Sequence, residues 1–458
     1  MKTKIYTLHN GLKVYMTVNK ETPRVQTYIA VKVGSKNDPK ETTGLAHYLE
    51  HLMFKGTESF GTSDYAAEKP MLDSIKALFE VYRTKTDPEE RRAIYHRIDS
   101  ISYEASKIAI PNEYDKLMAV IGAEGTNAFT SNAMTAYYFD STEHFEENLR
   151  ILLSFVSIPY FTDESVAKEQ GIIGQEIRMI EDNPDWQIYT RMLRAMYHRH
   201  AARTSIAGTV ESIAEITADT LYDCHKAFYT PANMILTVVG DVDPVHVIDL
   251  ANRVLPKLSG PIIERDYGTE PETVAEKETV LEMEVSAPQF LAGFKCAPAA
   301  EGDDYMRAAI LGDMASDILM GESSALYQRL YEQGLINPSF GGAFEMMPGV
   351  AYLYAGGDGK DPRAVTDAIL EEATRIAAEG VDEAYFQRIR KASFGANLRG
   401  LNSFENIAVT LTEGYFHGYD PLRFPEVFDS ITPEDITAFL KTNVTAERMA
   451  VSRIVPKQ

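Results

Sequence analysis

The sequence predicts an α+β protein made of two copies of one plan, each an antiparallel-rich mixed sheet with helices packed on one face. Three observations predict it. Short runs alternating apolar and polar residues, the period of a strand, precede longer runs with the period of a helix. The same order of runs occurs twice along the chain. Finally, 458 residues exceed what one ordinary core holds, so two or more domains are expected.

The first copy opens with Leu12, Val14, Met16 and Val18 alternating after the turn signal Asn10-Gly11. Val25, Thr27, Ile29, Val31 and Val33 alternate next, and a helix carrying His47-Tyr48-Leu49-Glu50-His51 follows. Helical patterning then fills Ser63 to Ile121, with Asp87-Pro88-Glu89-Glu90 as a helix start. A strand over Thr135 to Phe139, a helix over Glu143 to Phe155 and a further helix after Thr162-Asp163-Glu164 complete the copy. In the second copy Leu281, Met283 and Val285 alternate, then Phe290 to Cys296 forms a strand. A helix near Arg307 to Leu319, a strand over Val350 to Ala355 and a helix over Pro362 to Ala378 follow. Val381-Asp382-Glu383 opens the last long helix compared. The boundary falls in Leu255 to Thr279, rich in Pro, Gly and Glu. The expected domains are residues 1–254, with a helical insertion about 63–121, a linker 255–279 and a second domain 280–458.

On a helix, His47 and His51 stand one turn apart on one face, where two imidazoles can share a Zn²⁺. Thr42 or Thr43 can cap this helix, and Leu45, Leu49 and Leu52 cluster opposite the histidines. Glu50 lies close enough to take a proton from water that such a metal makes acidic. The order is the inverted zinc-protease motif; the competing reading is a helix that merely carries two histidines. A catalytic zinc needs a third protein ligand. Val166, Ile172, Ile173, Ile177 and Ile180 form an apolar arc that also holds Glu169 and Glu176. Two carboxylates in such an arc need a cation or donors, which a metal site supplies; otherwise the stripe is half exposed there.

His47-x-x-Glu50-His51, Asn127-Ala128-Phe129-Thr130-Ser131 and the Glu169…Glu176-Ile177 helix resemble the M16 zinc metallopeptidases (pitrilysin, insulinase, mitochondrial processing peptidase), in their half-length bacterial type. Thr230-Pro231-Ala232-Asn233-Met234 leading to Gly240-Asp241-Val242-Asp243-Pro244 adds to the likeness. The resemblance implies a LuxS/MPP-like metallohydrolase fold. It implies His47, His51 and Glu176 as ligands of one Zn²⁺, Glu50 as general base and Glu169 as a catalytic-site carboxylate behind the ligands. Asn127 and Ala128 would lie on a strand edge that binds the substrate backbone. In the second copy Arg388 stands where Glu169 stood and Gly395 where Glu176 stood, with no histidine pair, so that domain is expected to be non-catalytic. The 63–121 segment exceeds the family pattern and is read as a helical hairpin beside the cleft. Relatives carry an Arg and a Tyr in a later domain; here Tyr331 and Asn337 occupy those places, and Arg329 is the candidate substitute.

The net charge of −22, from 45 basic and 67 acidic residues, argues against nucleic acid as a partner. No run is long and apolar enough to span a membrane, and nothing near Met1 reads as a signal peptide. Cys224 and Cys296 give no disulfide framework, which fits a reducing compartment and a bacterial cytoplasmic location. His198-Arg199-His200 reads as a polar helix end and Trp186 as a packing anchor. The expected function is a zinc endopeptidase acting on peptides or unfolded segments. The alternative is an interaction subunit that retains a metal and cleaves nothing alone. A homologous subunit is the expected partner, in a heterodimer before a homodimer, because the second copy lacks both a metal site and the Arg/Tyr pair.

Overall fold

The computed structural model describes residues 2–54, 63, 64, 66–71, 118–159, 161, 163–257, 260, 262, 263 and 269–457, with scattered positions between 74 and 108. By internal packing the chain divides into two units. One comprises Met1–Ile177 and Ile206–Glu264, the other Arg178–Ser205 and Arg265–Gln458.

The strands of the first unit are β1 (Thr3–Thr7), β2 (Lys13–Val18), β3 (Val25–Val31), β4 (Ala123–Thr130), β5 (Thr135–Ser141) and β6 (Met234–Gly240). Among the described residues they form one sheet in the order β1-β2-β6-β3-β5-β4. Only the pairing of β2 with β6 is parallel. β3 and β6 are buried along their whole length, Gln26, Thr27 and Thr237 included. The second unit holds β7 (Glu278–Met283), β8 (Gln289–Cys296), β9 (Gly341–Met347), β10 (Val350–Asp358) and β11 (Met449–Pro456), in the order β7-β11-β8-β10-β9. Here only β7 with β11 is parallel. Setting β1 aside, both sheets follow one permutation of chain order: first, fifth, second, fourth, third. The chain is thus an α+β protein of two like units.

The helices that matter are α1 (Leu45–Met53), α2 (Phe145–Ser157), α3 (Asp163–Asp182), α4 (Pro184–Met196), α5 (Ala218–Phe228), α6 (Pro244–Val254), α7 (Asp303–Met320), α8 (Ala325–Glu332), α9 (Pro362–Glu379) and α10 (Glu383–Gly400). In the second unit Phe290, Ala292 and Phe294 of β8 enter one core with Met314 and Ile318 of α7 and Val365 and Ile369 of α9. The alternate residues of β8 turn to the other face. There Gly293 leaves room for α4: a Cβ on it would stand 2.6 Å from the Met196 sulfur. Lys295 Nζ reaches the Met196 carbonyl at 3.2 Å and the Glu270 carboxylate at 3.0 Å. Glu270 also accepts the backbone N–H groups of His198, Arg199 and His200, so the polar helix end is bound by a carboxylate.

Several local expectations are corrected. Thr42 and Thr43 do not cap α1. Its N-cap is Gly44, at φ 92°, and no side chain of its own caps it. Asp38 does that work from outside, accepting the backbone N–H of Gly44 at 2.8 Å and of Ala46 at 3.0 Å. Glycine is required there, since a Cβ on Gly44 would meet the Ala207 carbonyl at 2.5 Å. Ile172 is exposed: at 100° per residue it falls away from Val166, Ile173 and Ile177, which are buried. Trp186 is not a packing anchor, because half of it is open to solvent. β6, β9 and β11 were not expected as strands, and β4 was expected only as the strand edge that holds Asn127 and Ala128. The helical hairpin read over 63–121 falls largely outside the described residues; those described at 66–71, 93 and 94 are helical.

Candidate active site

All the groups of the candidate site belong to the first unit. α1 has no β-branched residue and buries Leu45, Leu49 and Leu52, which turns its histidines away from the core. Tyr48 pins it to α3 by donating to the Val166 carbonyl at 2.5 Å. α3 buries Val166, Ile173 and Ile177, and this brings Glu169 and Glu176 up against α1.

Each carboxylate meets the histidines differently. Glu176 Oε1 lies 3.4 Å from His47 Nε2, and its Oε2 lies 3.3 Å from His51 Nε2. Glu169, almost fully buried, meets the opposite nitrogen of His51, with Oε1 3.0 Å from Nδ1. That contact assigns the Nδ1 proton and leaves Nε2 free to ligate. Among the described residues His47, His51 and Glu176 are the one set whose donor atoms could share an ion, all lying within 4.8 Å of one another.

The donor set fits zinc. Two imidazole nitrogens and a carboxylate are a catalytic zinc's usual ligands, at bond lengths of about 2.0–2.1 Å. Tetrahedral corners at that distance stand roughly 3.4 Å apart, the spacing of Glu176 from each Nε2. The Glu176 side chain keeps 40 % of its surface exposed, so the place is open on one side. Without an ion these groups hold one another by charge. Hydrogen bonds from the two histidines keep the Glu176 carboxyl well below the usual range. For His51, burial disfavours the charged ring, but the bonds to Glu169 and Glu176 outweigh it and push the pKa to about 9. A zinc ion would take the place of that proton.

Glu50 is buried beside this set. Burial raises its pKa, and the Thr130 hydroxyl, donating to Oε2 at 2.6 Å, pulls the other way. Thr130 closes β4, so sheet and helix meet at the base. Asn127 is exposed and Ala128 half-buried on the same strand, the last of its sheet, whose outer side pairs with nothing among the described residues. Sequence reasoning missed Thr130 and Asp38. Thr130 lay inside a quoted stretch, but no local pattern says that its hydroxyl meets a residue 80 positions away. Asp38 lies six residues before Gly44, too far ahead for a capping pattern to mark it.

The proposed Arg/Tyr substitute is engaged in the second unit. Arg329 lies 3.5 Å from Glu372, and Tyr331 stacks on Tyr327. His198 and His200 take no part in the candidate site.

The chain thus combines two like units with a His-His-Glu donor set in the first. The chain belongs to peptidase family M16: the insulinase model of that family matches residues 13–72 and 86–210, and its inactive-domain model matches 215–393. It is similar to zinc protease YmfH of Bacillus subtilis (strain 168), a protein described as uncharacterized, with 39 % identity over 335 residues, 72 % of this chain and 78 % of that protein. It is also similar to zinc protease PqqE of Helicobacter pylori, 23 % identical over 87 % of this chain and 80 % of that one. Among solved structures, an M16-like peptidase of Alicyclobacillus acidocaldarius superposes with TM-score 0.82 at 28 % identity, covering 100 % of this chain and 98 % of that one. A protease of Helicobacter pylori shares the fold at TM-score 0.79 and 18 % identity, over 99 % of both chains.

Proposed function

We propose that this chain is a zinc-dependent endopeptidase that hydrolyses peptides or unfolded polypeptide segments. The observation that carries the reading is Glu50, buried beside His47, His51 and Glu176 and hydrogen-bonded by Thr130. His47, His51 and Glu176 would hold the ion. When bound, zinc supplies a Lewis acid that polarises the scissile carbonyl and acidifies water. Glu50 accepts the proton of the attacking water and passes it to the leaving amine. Thr130 fixes one Glu50 oxygen and leaves the other to face the water. Glu169 orients His51 through Nδ1 and raises its basicity. The substrate adds as a strand to the outer edge of β4, where backbone shape counts for more than side-chain sequence, and Asn127 and Ala128 line that edge. Residues 1–254 would be the catalytic domain, 255–279 the linker and 280–458 the non-catalytic domain.

Among the described residues no helix is long and apolar enough to cross a membrane. A cytoplasmic bacterial location belongs to the same proposal. A second reading, a subunit that cleaves only with a homologous partner, is favoured by one observation: Tyr331 and Asn337 stand where the Arg/Tyr pair is expected, and Arg329 is turned to Glu372. A heterodimer with a homologue that brings the pair follows from it.

The test is Glu50→Gln. An amide cannot take the proton at neutral pH, so the variant should bind zinc and keep its fold while hydrolysis of a quenched peptide falls roughly a hundredfold or more. Assaying the parent alone and with a co-encoded homologue separates the two readings. Cleavage by the variant at the parent's rate would refute the mechanism.

A further inference from the structure

The second unit has a cavity of its own. Gln289 and Leu291 of β8 and Tyr354, Gly356 and Asp358 of β10 share one sheet face, since Asp358 is in register with Gln289 and Gly356 with Leu291. The first turns of α4 stand over that face and complete a recess of about 580 Å³. The volume lies within the range of small-ligand pockets, roughly 300–1,000 Å³.

Its lining is one-sided in chemistry. Trp186, Tyr189 and Tyr354 supply aromatic walls, and the two tyrosine rings meet edge to face with centroids 5.9 Å apart. Asp185, Glu345 and Asp358 supply three carboxylates, and among the described residues no Lys, Arg or His lines the recess. Among the described residues none of the three carboxylates has a cationic partner. Asp358 accepts only long contacts from the amides of Gln289 and Asn337, each at 3.5 Å. Gln289 adds an independent sign: its Oε1 is a buried acceptor without a donor among the described residues. An acceptor so placed is open to a donor from a bound molecule. Glu345 reaches solvent, but the protein around it raises its pKa. Its charge, after burial and the charge of Asp317, helps push neighbouring Asp313 up to about 7. A cation arriving here relieves repulsion and meets aromatic faces at once.

We propose that this recess binds the cationic side chain of a peptide, an arginine guanidinium or a lysine ammonium, between the Trp186, Tyr189 and Tyr354 rings and the carboxylates of Glu345, Asp358 and Asp185. Arginine suits it better, because a planar guanidinium stacks on the rings while its N–H groups reach Gln289 Oε1 and the carboxylates together. The pocket deepens the peptidase reading by naming a substrate class, and it rests on that reading only for the source of the cation.

Trp186 is the one tryptophan of the chain, so its emission reports on this recess alone. The full chain carrying Glu50→Gln is titrated with acetyl-Gly-Arg-Gly-amide, with acetyl-Gly-Glu-Gly-amide and with spermidine, following fluorescence and, on the same samples, calorimetric heat. The arginine peptide should give a saturable response and the glutamate peptide none, with spermidine weaker than the arginine peptide. The double variant Glu345→Gln/Asp358→Asn should bind the arginine peptide at least tenfold more weakly with an unchanged melting temperature. No heat and no emission change with the arginine peptide, or an equal response to the glutamate peptide, would overturn the proposal. So would spermidine binding more tightly than the peptide. Neither readout needs zinc or turnover, so a negative result leaves the peptidase reading untouched, and a failure of hydrolysis leaves the pocket standing.

Discussion

The two units thread their strands in the same permutation, yet they use the helix after the second strand of that permutation differently. In the first unit α1 follows β3 and presents His47, Glu50 and His51 toward α3. In the second α7 follows β8 and carries no histidine, while its Met314, Ala315, Ile318 and Leu319 enter the core. The partner helix differs too. Where α3 offers Glu169 and Glu176, α10 has Arg388 and Gly395 at the matching positions, and Arg388 lies over the Tyr385 ring at 5.1 Å. The apolar sides of α1 and α7 pack on the sheet of their own unit. The polar sides are free to differ, so one fold can carry a metal centre in one copy and none in the other.

The comparison is most easily broken by exchanging side chains across it. His47→Ala should abolish zinc binding and peptide hydrolysis, whereas Arg388→Ala in the second unit should leave bound zinc unchanged; elemental analysis of both proteins reads this. Loss of zinc from the Arg388 variant would mean that the second unit shares in the centre. Next in size is Glu169→Ala. It removes the contact to His51 Nδ1, and zinc affinity or activity should fall about tenfold to a hundredfold while some metal remains. Chelator competition measures it, and an unchanged affinity would deny Glu169 its orienting role.

Smaller effects test how sheet and helix position the base. Thr130→Val removes the donor to Glu50 Oε2, and kcat/KM should drop roughly tenfold, equivalent to about 1.4 kcal/mol, with KM little changed. Asp38→Ala leaves two backbone N–H groups at the start of α1 without their acceptor, at a cost of about 0.5–2 kcal/mol. A lowered melting temperature with full zinc content is the expected result. Arg329→Ala touches a partly exposed ion pair with Glu372 and should shift stability by no more than about 1 kcal/mol. A large loss of hydrolysis from it would instead favour Arg329 as the substitute for the absent pair.

Much of this was legible in the sequence because the decisive patterns are local. Two histidines four apart and two glutamates seven apart project correctly from any helix, and Leu45, Leu49 and Leu52 mark the buried side without further knowledge. What was not legible depends on distant pairing. β6 and β11 are short strands near the end of each copy, and each inserts beside a strand from its beginning, a placement no local period encodes. The edge strands β4 and β9 are half exposed and include glycine, so they lack clean alternation. Asp38 caps α1 from six residues before Gly44, outside the usual capping window. α4 follows the glutamate helix directly yet packs on the second sheet, a choice made by Gly293 and Lys295 about a hundred residues later. Trp186 was misread for the same reason: its surroundings come from β8 and β10.

The central claim is that His47, His51 and Glu176 form one zinc centre in the first unit. Zinc stoichiometry of purified Glu176→Gln beside the parent tests it most directly. The parent should carry one zinc per chain and the variant far less, because the amide keeps the shape of Glu176 but not its charge. Full occupancy in the variant, with the same resistance to a chelator, would contradict it.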